Sequence, residues 1–392
     1  MNRPDTECQH KLKIVKVDSR PVLKRFITLP WSIYRTDPVW VPPLIMERLD
    51  HFSSKNPFFK HAEANFWLAF RGNKPVGRIS AQLDNLSLRQ YNRSCGSFGL
   101  LEAEDNQETF QGLIQTAEDW LYKHGIGLVL GPLSLSINDE AGLLIQGFET
   151  SPSIMMGHAR PYYAFRLEQC GYTKQKDLLA YRLKVDYSRP EVLRNSRIKK
   201  SNRMSLHPVR KKNLVHQADI LRDIFNDAWQ DNWGFVPFTR EEFQNLAKQM
   251  KHILKDNFVH IANIDGQPAA MIVLLPNINE IICDLNGRLT PFGWYKLLWR
   301  LFVSQPQTGR VPLFGIRKKY QQTLLGSKMI FQLIETATIA AKEAGIKDVE
   351  LSWILEDNQS LQHILQALGA NSYKRYRIYG KQILGNQKQS FY

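Results

Sequence analysis

A chain of 392 residues with 43% hydrophobic and 11% aromatic content exceeds what one ordinary core organises, so two globular domains are predicted and a disordered chain is excluded. Its 52 Lys/Arg against 37 Asp/Glu give a net charge of +15, and the excess is lopsided: residues 1–190 hold 24 basic and 20 acidic side chains, residues 191–392 hold 28 and 17. No apolar run approaches the ~18 residues that cross a bilayer, and the N-terminus, MNRPDTECQHKLKIVKVDSR, has no signal-peptide core, which predicts a cytoplasmic protein.

In chain order, Pro21 to Trp40 reads as a helix followed by an extended segment, because the prolines at 38, 42 and 43 forbid its continuation. Phe66 to Asp84 reads as two strands around the turn Arg71-Gly-Asn-Lys74. Asp105 or Asn106 caps a helix running to about Lys123, with Phe110, Leu113, Ile114, Ala117 and Leu121 on one face and Gly125 ending it. A strand from Ile126 to Leu130 leads into GPLSLSINDEAGLLIQGFE.

The stretch Arg194 to Lys212 carries eight Lys/Arg and no acid. It reads as a basic linker, 191–215, either solvated or able to meet the inner face of a membrane peripherally. Beyond it the order of elements repeats. A helix covers about 217–230, Thr239 and Glu242 form a capping box for the next, and Phe258 to Leu275 is again a strand, a turn and a strand. Thr290-Pro291 starts an aromatic helix, Trp294 to Phe302, which suits a packed core, a lid or a membrane-interface face. The strand Val311 to Ile316 then feeds a polar loop with Arg317, Lys318, Gln321 and Gln322, and a helix from Gly326 and Ser327 onward. A basic loop before a helix N-terminus is an anion site, and cofactor phosphates are its natural ligand. Strands at Asp348 to Leu355 and Tyr373 to Gly380 enclose a last helix, Ser360 to Leu368. Strands alternating with helices, twice, predict an α/β (α+β mixed-sheet) fold in two domains, 1–190 and 216–392.

The C-terminal half resembles the GNAT superfamily of acyl-CoA-dependent N-acyltransferases, whose cofactor loop has Gln or Arg, two residues, Gly, one residue, then Gly or Ala. Gln321 and Gly326 match it, and Leu324 stands at the first glycine. Asp357-Asn358, Leu361, Leu365 and Gly369 follow the spacing of the family's Asn-led helix, with Leu365 where a tyrosine often protonates the leaving thiolate. From about residue 21 to 381 the chain resembles a narrower bacterial group, the YghO-like and bacterial ceramide synthase-like proteins. The segments that carry this likeness are FITLPWSIYRTDPVWVPPL, KNPFF, VGRISA, FGLLEAEDNQE, GPLSLSINDEAGLLIQGFE, MMGHARPYYAFRLEQCGY, KDLLAYRL, LSWILEDNQSL and YKRYRIYGK. The resemblance implies two tandem GNAT-like domains, an acyl-CoA or other acyl thioester as co-substrate, and transfer to an amine, of sphingoid-lipid type in some members. It places the donor at Arg317, Lys318, Gln321, Gly326 and Ser327.

Amide formation needs a base for the amine and donors for the tetrahedral oxyanion. Asn138, Asp139 and Glu140 follow a strand, where α/β sites form, and one of the carboxylates can take the amine proton; equally, Asn138 and Asp139 can cap a helix begun by Glu140. Glu356 is the matching carboxylate of the second half, beside Asp357, a good N-cap. Tyr162, Tyr163, Tyr376 and Tyr379 can donate to the oxyanion or the leaving thiolate, or fill the core. The cysteines Cys8, Cys95, Cys170 and Cys283 and the histidines lack metal-ligand spacing, so no metal is expected. Two rival readings are transfer from aminoacyl-tRNA, since Fem-like enzymes also use tandem GNAT-like domains, and acyl-lipid binding without catalysis. Nucleic acid is otherwise not an expected partner.

Overall fold

The computed structural model describes residues 11–90, 94–186, 203–303 and 305–383. The first half begins with strand β1 (Leu12–Lys16) and three short helices, α1 (Arg20–Thr28), α2 (Pro30–Ile33) and α3 (Ile45–His51). β2 (Ala62–Arg71), β3 (Lys74–Asp84), α4 (Asn85–Gln90), β4 (Cys95–Ala103) and α5 (Gln107–Lys123) follow. The short strands β5 (Leu128–Gly131), β6 (Leu133–Ser134), β7 (Glu140–Ala141) and β8 (Leu143–Gln146) lead to α6 (Tyr162–Gln169) and the long β9 (Thr173–Lys184). The second half repeats this order with β10 (Met204–Pro208), α7 (Leu214–Trp229), α8 (Arg240–Met250), β11 (Val259–Ile264) and β12 (Gln267–Pro276). After α9 (Asn279–Ile282) and α10 (Gly293–Val303) come β13 (Thr308–Ile316), α11 (Leu324–Glu343), β14 (Asp348–Leu355), α12 (Gln359–Ala367) and β15 (Asn371–Gln382).

Local chemistry sets many of these boundaries. Asn106 caps α5 by accepting from the Thr109 amide, and the buried face of α5 includes the five apolar residues expected from spacing. Thr239 and Glu242 form a complete capping box at α8. The β11–β12 hairpin turns on Asp265 and Gly266, both at positive φ, as a two-residue turn between twisted strands requires.

The sheet reads β1-β2-β3-β4-β5-β15-β9-β14-β13-β12-β11-β10, with β8 also paired to β15. Read inward from its two ends the order is the same, except that the halves have exchanged their last strands: β15 lies against β5 and β9 against β14. One continuous sheet therefore joins the halves. Every pairing along it is antiparallel but two, β4 with β5 and β13 with β14. Those parallel pairs are short. β13 and β14 are in register only from Thr308↔Asp348 to Val311↔Leu351, after which the two part, β13 staying with β12 and β14 with β9.

Two expectations change. Glu140 does not begin a helix; Glu140–Ala141 pairs with Leu133–Ser134, and Leu143–Gln146 is held by β15. The local hairpin with Leu133–Ser134, together with the pairing of the next strand to β15 more than 200 residues away, overrides the capping signal, with Gly142 at φ +82 making the bend between the two short strands. Met204–Pro208, inside the expected linker, is the edge strand β10 against β11, while residues 191–202 lie outside the described residues.

Candidate active site

Where β13 and β14 part, an apolar pocket opens beneath α7 and α8. Leu221, Phe243, Met250, Val273 and Leu313 line it, with Trp353 of β14 on one wall. Its polar lining is confined to Asn138 and Asp139 from the first half and Arg310 from the second. The splay supplies the space and the exchanged topology brings the β6–β7 loop across to it.

That loop is anchored. The Asn138 amide N–H donates to Ser136 Oγ at 3.2 Å, and its Nδ2 donates to the Val236 carbonyl at 3.0 Å. Asp139 N donates to Ser136 O at 3.2 Å. The Asp139 side chain, a third exposed, has its carboxylate 3.9 Å from His51 Nε2. Burial pushes its pKa up to about 7 against the pull of Arg48, with the charges of Glu140 and Glu242 adding to the rise. His51 is driven down to about 4 by burial and by Arg48, so at neutral pH it is uncharged and does not compensate Asp139. Arg48 is held between Glu47, 2.5 Å from Nε, and Glu140, 3.6 Å from Nη1. The result is a carboxylate that can take a proton near neutral pH at the rim of an apolar cavity.

Behind the cavity, Arg310 is 2% exposed, and its guanidinium lies 5.1 Å from the Trp353 ring. Nε donates to Ser352 Oγ at 2.8 Å, Nη1 donates to the carbonyls of Ile154 and Met155, and Glu350 Oε1 is 3.6 Å away. Glu350 also accepts from Ser153, Ser352 and Tyr373. Two donors here, Trp353 Nε1 and the Tyr376 hydroxyl, are buried with no protein partner. Tyr376 sits against the first-half segment, opposite Leu144 in the sheet, where a Cβ on Gly142 would meet its own Cβ at 3.0 Å.

The other candidates are elsewhere. Tyr162 donates to the Ala103 carbonyl at 2.7 Å, and Tyr163 to Glu102 at 2.7 Å, within the first-half core. Tyr379 donates to Glu168. Glu356 accepts from the Asp177 amide and from Lys174, and Asp357 pairs with Lys176; neither carboxylate lines the cavity. The residues that sequence reading passed over are Arg48, His51, Arg310 and Glu350. Arg310 and Glu350 fall in apolar strands, where a lone charge is the available signal of a buried pair.

The loop after β13 is closed by its own bonds. Arg317 Nε donates to Pro268 O at 2.8 Å, Lys318 Nζ is 2.5 Å from Asp231, and Gln321 Nε2 donates to Ala228 O and Ile316 O at 2.9 Å each. Thr323 caps α11 through the Gly326 amide at 3.0 Å, and Ser327 Oγ donates to Thr323 O. A Cβ on Gly326 would meet Tyr320 O at 2.0 Å, so glycine is required there. Leu324, 78% exposed, turns its side chain outward from the loop. The matching turn of the first half, before α5, is acidic instead: Glu104 and Glu108 take Arg71, and Asp105 takes Arg166. By charge, the helix start of the second half is the one suited to an anion.

A second pocket lies in the first half, lined by Asp84, Ser87, Ser97 and Ser136 and by Trp233 and Val236 of the other half. His61 bridges the halves beside it, Nδ1 3.0 Å from Asp84 and Nε2 3.0 Å from Glu242.

No family model matches the chain. It is 45% identical over 362 residues to protein YghO of Escherichia coli (strain K12), covering 92% of this chain and 93% of that one. It is 42% identical over 376 residues to the bacterial ceramide synthase of Caulobacter vibrioides, covering 95% and 98%. Among solved structures, the fold matches a tandem GNAT protein from the clavulanic acid biosynthesis pathway, with a TM-score of 0.57 at 12% identity over 96% of this chain and 100% of that one. It also matches a GCN5-related N-acetyltransferase from Sphaerobacter thermophilus, with a TM-score of 0.51 at 13% identity over 94% and 96%. The protein thus has the tandem GNAT fold, and it belongs to the family of YghO and the bacterial ceramide synthase.

Proposed function

We propose that the protein is an N-acyltransferase that moves a long acyl chain from a thioester, acyl-CoA or an acylated carrier protein, to the amine of a lipid acceptor. The observation that carries this reading is the apolar cavity with Asp139 at its rim, its pKa pushed up to about 7. An acetyl group has little to bury against such an apolar lining, whereas an alkyl chain gains about 0.8 kcal/mol per buried methylene. The name of the Caulobacter relative, a ceramide synthase, supports a lipid amine. The family membership and the GNAT fold support a thioester donor.

In this reading the basic turn Arg317 to Gly326 receives the donor's anionic end, and β13, which runs from Arg310 through Leu313 into that turn, connects it to the cavity. Asp139 accepts a proton from the acceptor's ammonium, freeing the nitrogen lone pair to attack the thioester carbonyl carbon. The C–N bond forms, the carbonyl oxygen becomes an oxyanion, and Trp353 Nε1 and the Tyr376 hydroxyl are the unpartnered donors nearby. Collapse breaks the C–S bond, and the thiolate leaves with a proton from the acceptor nitrogen or solvent. Asn138 holds the loop in position, while Glu356 and Tyr162 keep structural bonds.

The test is thiol release from palmitoyl-CoA and from a palmitoylated carrier protein, each with and without a long-chain amino alcohol. Release that requires the amine, and that drops about a hundredfold in Asp139→Asn, is the expected result. If no thioester releases thiol with any amine, the acyl-transfer reading fails, and binding without turnover or an aminoacyl-tRNA donor replaces it.

A further inference from the structure

The outer face of α10 is the largest run of exposed apolar side chains among the described residues: Phe292, Trp294, Tyr295, Leu298, Trp299 and Val303, from 42% exposed at Trp294 to 76% at Phe292. Single exposed apolar residues need no explanation, but a contiguous aromatic stripe marks a contact surface. The opposite face is fixed in place, with Leu297 and Leu301 packed on the cluster of Ile281, Ile282 and Leu285, which Val41 and Leu44 of the first half also pack against. The stripe is therefore presented by a held helix and is not an unpacked core. Of the readings left open for this helix, the exposure of Trp294, Tyr295 and Trp299 excludes the packed core.

We infer that this face docks on an anionic lipid bilayer. Three observations select that occupant. The helix is about 16 Å long, and no helix among the described residues is long and apolar enough to cross a membrane, so α10 can only lie in the plane of the interface. Its exposed residues are dominated by Trp, Tyr and Phe, and rings with an apolar body and a polar edge suit the headgroup level. The local charge has the right sign: the one acid in the turn beneath, Asp284, is taken up at 2.5 Å by Lys296 and by Arg300, while Arg288 is exposed with no ion pair among the described residues. The chain as a whole carries +15. Attraction to anionic headgroups then adds to burial of the stripe.

The position of the stripe gives docking a use, and this clause alone rests on the proposed acyl transfer. The Ile45 amide donates to Gly287 O at 3.0 Å, which joins the α10 segment to the start of α3. Along α3, about 10 Å in length, Arg48 and His51 face Glu140 and Asp139. A lipid amine drawn from a membrane under α10 enters one short helix away from the proposed base.

The experiment is co-sedimentation of the purified protein with vesicles of phosphatidylglycerol and phosphatidylethanolamine, and with vesicles of phosphatidylcholine, without any acyl donor. Wild type is expected to pellet with the anionic vesicles only, and Trp294→Ser/Trp299→Ser to lose at least tenfold in partitioning. That variant should keep its melting temperature and its thiol release from detergent-dispersed substrates. Arg288→Glu should weaken binding most at low salt, where the attraction it removes is least screened. Wild type remaining in the supernatant overturns the inference, as does a double variant that pellets equally. A wild-type dimer that becomes monomeric in the double variant, with no vesicle binding, assigns the stripe to a second copy and also overturns it. Because no turnover is measured in the vesicle assay, its failure leaves the acyl-transfer reading standing, and the converse holds too.

Discussion

Asn138 Nδ2 donates to the Val236 carbonyl at 3.0 Å, a bond between residues 98 apart that ties the loop carrying Asp139 to the segment between α7 and α8. It is a partition as well as a tie. Ser136 and Ile137 face the first-half cavity, Asn138 and Asp139 the second-half one. Asn138→Ala should cost about 1 kcal/mol in stability, a typical hydrogen-bond contribution. It should lower kcat more than it raises KM for the thioester, because the loop positions the proposed base and not the donor. Urea unfolding together with steady-state kinetics checks both; an unchanged kcat would remove the positioning role.

Asp139 predicts a particular pH profile. With its pKa pushed up to about 7, the rate should rise with pH and level off above that value, and Asp139→Asn should flatten the rising limb along with the rate. Stability runs the other way. The folded state keeps this proton up to about pH 7 while the unfolded chain releases it near 3.8, so stability falls as pH rises through that window. Asp139→Asn should therefore be more stable than wild type at pH 8, by about 1–2 kcal/mol after allowing for the third of the side chain that meets water. Denaturant unfolding at pH 4, 6 and 8 measures it.

His61 has the opposite linkage. Burial opposes its charge, but Asp84 and Glu242 outweigh it and raise the pKa from 6.5 to about 9. The two ion pairs of His61, of which the one to Glu242 crosses between the halves, contribute fully below pH 6.5 and are lost as pH rises through about 9. His61→Gln should cost about 1–3 kcal/mol at pH 6 and much less at pH 10. If the two proteins lose stability in parallel from pH 6 to 10, His61 does not carry that charge.

Arg310 and Glu350 are both nearly inaccessible, and each has further hydrogen bonds. Removing one partner, as in Glu350→Ala, leaves a buried charge and should cost about 3–5 kcal/mol. Replacing both, as in Arg310→Met with Glu350→Gln, should recover part of that loss. The coupling in a double-mutant cycle, read by thermal unfolding, decides between a mutually compensating pair and two independent packing roles.

Position 326 tests the loop. Gly326→Ala would drive a Cβ into Tyr320 O and force the turn open, whereas Leu324→Gly touches nothing inside it. The first should abolish any melting-temperature rise caused by palmitoyl-CoA, and the second should leave it intact or strengthen it. A CoA-dependent shift that survives Gly326→Ala would place the donor elsewhere.

Much of the secondary structure was legible because its causes are local. The Thr239–Glu242 capping box, the Asn106 cap of α5 and the Asp265-Gly266 turn each depend on side chains within a few residues, and the periodic face of α5 follows from helix geometry alone. The repeat of elements was legible for the same reason. Glu140 was not: its capping signal competes with pairing to Ser134 and with the hold of β15 on the next strand, Leu143–Gln146, and sequence spacing carries no information about a partner as far away as β15.

The sequence by itself determined two α/β halves, the basic turn before α11 and a family likeness carried by long segments, since these reside in residue order and composition. Only the tertiary structure decided that β9 and β15 change places, that Asp139 meets a second-half cavity, and that Arg310 finds Glu350 in the core. It likewise decided that one aromatic helix faces outward. Each of these depends on contacts between residues remote in the chain, where burial and the local dielectric, and not the identity of the neighbours in sequence, set the pKa of a carboxylate and the side of a helix that meets solvent.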